Sequence, residues 1–198
     1  MKRRTFDRIV SFVGLGLSVF LFVAAALLNW GASFADESVA TQLSKQKITM
    51  PDKGSAGFKA LSEEAQTALA PFSNKPLTTG RQAQAYADFY IGSHLKGIAG
   101  GKVYSEVSGM ALGAAAKSTA DPTNAALAAE TANLMGQRTS LFMGETLRGL
   151  LLYSFAFWQI GQIAMYAAWA AAIGGLLMLV LSLLGFAHIR RVEADATI

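Results

Sequence analysis

The chain has 198 residues, 53% of them hydrophobic, with 17 basic and 13 acidic residues for a formal net charge of +4, and no cysteine. The missing cysteines exclude disulfides, thiolate metal ligands, a lipid-modified cysteine anchor and cysteine catalysis together. Lys2, Arg3, Arg4 and Arg8 crowd the first eight positions against Asp7 alone, so the excess charge belongs to a terminal tail rather than a groove-binding face, and no nucleic-acid partner is expected.

The tail, residues 1–8, precedes a charge-free run from Ile9 to Ala35. A bilayer core about 30 Å thick needs roughly 20 apolar helical residues, so 9–30 reads as a first transmembrane helix. Trp30 marks its outer end as an interface anchor. Ser33-Phe34-Ala35 loosely fits a signal-peptidase site. The apolar stretch nevertheless exceeds an ordinary signal core of ~7–15 residues, and an uncleaved anchor is the expectation.

Val39, Leu43 and Gln46 continue the helical spacing outward to about Lys47. Pro51, Gly54 and Gly57 then make 48–58 a loop with at most one short extended stretch at 47–50. Ser62 caps a short helix that carries Glu63 and Glu64 in its first turn and stops before Pro71; 71–76 is a turn. After Thr78 or Thr79 as cap, Ala83, Tyr86, Ala87, Tyr90, His94, Leu95 and Ile98 share one helix face, while Arg81, Gln84, Asp88 and Lys96 fall largely elsewhere. Gly100-Gly101 ends that helix. A helix is expected from Tyr104 to Ser118. Asp121-Pro122 starts another, running to about Gln137, and Thr139 or Ser140 caps the last.

That last helix enters a run of 39 residues, Gly149 to Ala187, with no Asp, Glu, Lys or Arg. At ~1.5 Å per residue the run reaches about 58 Å, nearly twice the hydrocarbon core, so part of it is expected to be buried in protein. Trp158 and Trp169 bracket the outer interface as anchors, which places a second transmembrane helix at 161–187. Residues 141–160 become a spine whose core contacts are Phe142, Leu147, Leu150, Leu151, Phe155 and Phe157. A continuous helix is expected from about Ser140 to about Ala187. Arg190 and Arg191 anchor the inner end, and 188–198 form a short tail. Basic residues beside both spans place both termini in the cytoplasm and 36–147 outside; the eleven Lys and Arg of the long loop, offset by ten acidic residues, do not oppose this. The fold class is therefore all-α: an integral plasma-membrane protein with two transmembrane helices and a helical extracytoplasmic domain, residues 31–160, between them.

Ala164, Ala168 and Ala172 repeat every four residues, with Ala171 and Gly175 beside them, and Gly14 with Ser18 forms a weaker pair in the first span. Small residues so spaced let helix backbones approach closely, so these seven are the expected packing interface, against the other span or another protein. No chemical motif competes with this reading. His94 is expected to be a core histidine, and His188 an interfacial anchor on the other membrane face. Gly97-Ile98-Ala99-Gly100-Gly101-Lys102 lacks the spacing of a phosphate loop, and Val103 stands where a hydroxyl residue would hold magnesium. A helix C-cap explains its glycines. Asp36-Glu37 and Glu63-Glu64 are adjacent pairs that do not face each other on a helix. No catalytic residue, cofactor or metal is expected.

The stretches NWGASFADESVATQLSKQKITMP, LTTGRQAQAYADFYIGSHL, GETLRGLLLYSFAFWQIGQIA and LLGFAHIRR resemble those of a widespread family of small two-span membrane proteins of actinobacteria. The resemblance implies a bacterial plasma membrane and a domain facing the cell wall, and it carries no site residues. A ring-opening dioxygenase activity, sometimes attached to sequences of this type, would need two histidines and a carboxylate around one iron. The two histidines here are expected on opposite sides of the membrane. The expected function is a non-catalytic membrane subunit or scaffold, associating with itself or with a larger envelope or respiratory membrane complex. The alternative is an extracytoplasmic module for a lipid or other apolar ligand.

Overall fold

The computed structural model describes residues 2–191. Positions 192–198 of the expected C-terminal tail lie outside the described residues. Regular structure is helical: α1 (Arg3–Lys45), α2 (Ala56–Lys59), α3 (Glu63–Leu69), α4 (Gly80–Ala85), α5 (Gly92–Ile98), α6 (Tyr104–Ala120) and α7 (Ala125–Ile189). A 3₁₀ turn, Ala70–Phe72, follows α3, and a π-helical turn, Tyr86–Ile91, joins α4 to α5. Among the described residues, the helices long and apolar enough to cross a membrane are α1 and α7.

The helix starts follow local chemistry. Ser62 Oγ accepts from the Ala65 amide, and Thr79 forms a reciprocal capping box with Gln82, whose Oε1 accepts from the Thr79 amide at 3.0 Å. Gly100 and Gly101 have φ of +60° and +84°, and the Gly101 amide reaches back to the Lys96 carbonyl at 2.8 Å. That is the glycine-dependent Schellman end of a helix. An antiparallel bridge pairs Thr49 with Pro76 inside the expected loop, where the Met50 amide donates to Lys75 and the Leu77 amide to Ile48.

The expected break near Gln137 does not exist. Thr139 Oγ1 bonds to the Met135 carbonyl four residues back, so its side chain rides on a continuing helix instead of capping a new one. The start lies at Asn124, whose Oδ1 accepts from the Leu127 amide, while Asp121 braces the preceding turn through Thr123 and Asn124. The resulting α7 is one helix of 65 residues, about three times the length a bilayer core requires.

The chain divides into two compact units, Met1–Glu37 with Gln159–Ile198, and Ser38–Trp158. In the first, the ends of α1 and α7 run antiparallel. Ser11 lies beside Gly185, Gly14 beside Ser182, Ser18 beside Gly175 and Ala35 beside Gly161. The α1 residues turned inward, Ser11, Gly14, Ser18, Leu21, Ala25, Leu28, Ala32 and Ala35, alternate by three and four. On α7 the buried positions Gly161, Ala168, Gly175 and Ser182 recur every seventh residue. A 3.5-residue period is that of a left-handed coiled coil. The small side chains confine contact to a narrow seam and turn large ones such as Phe20, Leu27, Leu181 and Leu184 outward.

The second unit has its own core, in which Val39 and Leu43 of α1 meet Met50, Phe58, Leu69, Leu77, Val107, Leu141 and Leu151. Helices α3 to α5 supply much of its wall. A smaller cluster of Ala111, Ala114 and Leu134 zips α6 onto the first turns of α7, and Arg138 Nε fastens the hairpin to Ser108 Oγ at 2.9 Å. Of the expected spine contacts on α7, Leu151 is buried and Phe155 half-buried, but Phe142, Leu147, Leu150 and Phe157 are exposed. The core takes the opposite face, through Leu141, Leu151, Leu152 and Trp158.

Candidate functional site

The expected packing residues can now be located. Gly14, Ser18, Ala168 and Gly175 are buried in the seam of the first unit, and Ala164, Ala171 and Ala172 flank it half-buried. A β-carbon on Gly14 would lie 2.5 Å from Ser182 Oγ, and one on Gly175 would lie 3.3 Å from Leu21 Cβ. Close approach is therefore a requirement of the backbone there. Trp30 stacks on Phe34 and is exposed, as is Trp169, which edges a hollow formed with Ala25, Asn29 and Ala172. Arg190 and Arg191 are exposed just past α7. Trp158 belongs to the second unit. Its ring lies 5.9 Å from the Arg81 guanidinium, and the absence of a side chain at Gly80 leaves it room.

The second unit contains a charged cavity that no spacing in the sequence announced. One of its lining residues, Asp88, lies in the π turn. Most of the expected face is the buried one: Ala83, Ala87 and Leu95 are buried, and Tyr86, Tyr90 and Ile98 pack against the core. The wider turn accommodates one more residue, and Ile91 joins the buried set. His94, expected in the core, is exposed; its Nδ1 lies 2.7 Å from the Tyr90 carbonyl and its ring against that of Tyr90. Tyr86 is half-buried on the same segment, and burial, with the neighbouring Tyr90, pushes its hydroxyl pKa up.

Asp88, at the centre of the π turn, accepts a hydrogen bond of 3.0 Å from Arg148 Nη2 of α7. Glu145, one turn earlier on α7, lies 3.5 Å from Arg148 Nη1. The hydrogen bond it donates to Asp88 is the main reason the Arg148 guanidinium is held above its ordinary pKa, against the opposing effect of burial. These three groups, with Lys96, Lys102 and apolar walls from Leu95, Val103 and Leu141, line a cavity of about 220 Å³. All five ionisable residues were visible in the sequence, but Asp88 and Arg148 stand 60 positions apart, and only folding brings them together.

Among the described residues, no three of His, Cys, Asp and Glu gather as a metal centre would need. The Gly97–Lys102 segment is spent on the helix end described above. The fold thus defines a class: a helical protein with two helices long and apolar enough to span a membrane. No family model, curated protein or solved structure matches the chain.

Proposed function

We propose that this protein is a non-catalytic subunit or scaffold of a plasma membrane, of the actinobacterial two-span kind its sequence resembles. In this reading both termini are cytoplasmic, the second unit is extracytoplasmic, and the chain associates with itself or with a larger envelope or respiratory membrane complex. The seam of small residues is satisfied within the chain, and the large apolar side chains around it face lipid.

The observation that carries association lies on α7 before the expected membrane span. Phe142, Met143, Leu150 and Tyr153 are each more than half exposed on one side of the helix. Soluble surfaces seldom leave so continuous an apolar strip uncovered, and such strips mark protein contacts. The alternative, an apolar-ligand module, draws on a groove of about 290 Å³ between Val39, Gln42, Tyr153 and Phe157. Purification in mild detergent with native mass measurement tests the proposal. The expected species is heavier than the 20.9 kDa of one chain, and thiol crosslinks through Leu150→Cys should join the added mass. A lone monomer under all gentle conditions would overturn it.

A further inference from the structure

The charged cavity of the second unit is not needed for association, and its charges do not close on themselves. Arg148 engages both carboxylates, Asp88 firmly and Glu145 at the longer distance of 3.5 Å. Lys96 and Lys102 line the same cavity, and neither joins an ion pair among the described residues. Arg148 Nε is shut away from solvent with no acceptor. Three cations against two carboxylates leave one positive charge over, beside Leu95, Val103 and Leu141. The volume of about 220 Å³ holds some seven waters at ~30 Å³ each, the bulk of a molecule of about seven to ten heavy atoms.

We propose that this cavity binds a small organic carboxylate that also carries a hydroxyl or ammonium group. Its carboxylate sits between Lys96 and Lys102, supplying the missing negative charge. Its donor takes Glu145, whose weak contact with Arg148 exchanges readily, while the shorter Asp88–Arg148 pair remains as the frame. A dianion would meet two carboxylates across a short distance, and an apolar guest would offer Lys96 and Lys102 no counter-charge.

The test uses the full chain in detergent micelles and calorimetric titration with glycerate and γ-aminobutyrate, which carry both groups. Butyrate lacks the donor and glycerol lacks the carboxylate. At least one of the first two should bind saturably, with the two controls about tenfold weaker or more, as expected when a charged group is left unpaired. The double variant Lys96→Gln with Lys102→Gln should lose about tenfold in affinity with its thermal unfolding unchanged, since both side chains are exposed. Glu145→Gln should erase the preference over butyrate. Absence of saturable binding by both probes, equal binding of butyrate, or a lysine double variant that binds like the parent would each overturn the site.

Discussion

Ser18 and Gly175, 157 positions apart, are joined by a buried hydrogen bond of 2.8 Å from the seryl hydroxyl to the glycyl carbonyl. Inter-helix bonds of this kind average about 0.6 kcal/mol in a bilayer, because the separated helices find other partners. Ser18→Ala should therefore weaken the helix pair only slightly, by well under 1 kcal/mol, as read from unfolding in detergent.

Ala168→Leu should do much more. Ala168 is 5% exposed at the centre of the seam, and added methylenes in a packed contact cost about 1–3 kcal/mol. Leu177→Ile, on the outward side, serves as the near-silent control. A pair that tolerates Ala168→Leu without loss of thermal stability would show that the two backbones do not approach as described.

The phase shift at the π turn makes an asymmetric pair of variants. Leu95→Ala should cost about 2–4 kcal/mol, since its side chain is buried against Gly144. His94→Ala should stay within about 0.5 kcal/mol, as an exposed substitution. Denaturant unfolding of the two decides it, and the opposite ranking would mean that His94, not Leu95, lies in the core.

Tyr86 supplies a pH dependence. Its pKa is raised in the folded chain above the ordinary tyrosine value of 10.0, so the unfolded chain gives up this proton first. The associated stability is complete below pH 10 and declines as pH rises from there through the folded pKa. Phenolate absorbance should show one tyrosine lagging behind the rest, and Tyr86→Phe should remove the laggard.

Topology can be read with a single thiol, because the parent chain has no cysteine. Lys53→Cys, on an exposed loop of the second unit, should react with a membrane-impermeant maleimide added outside intact cells. Labelling only after lysis would place that unit in the cytoplasm.

Local features were legible because their causes are local. Two charge-free runs announce long apolar helices wherever they lie, and Ser62 and Gly100-Gly101 mark a helix start and a helix end by backbone chemistry confined to a few residues. Thr139 misleads for the complementary reason: a residue able to cap is equally able to bond back to its own helix, and only the uninterrupted packing of α7 on α6 decides between them. Sequence by itself thus determined the helical class and the two long apolar helices. Tertiary structure decided that the core lies on the Leu141–Leu151 side of α7 and leaves Phe142 and Leu150 bare, and that Ile91 enters the core while His94 stays outside it. It alone set Arg148 beside Asp88. Amphipathic spacing reports which residues share a face, but which face is covered depends on what other segments bring to it. An added residue in one turn of helix rotates everything after it without leaving a mark in the composition.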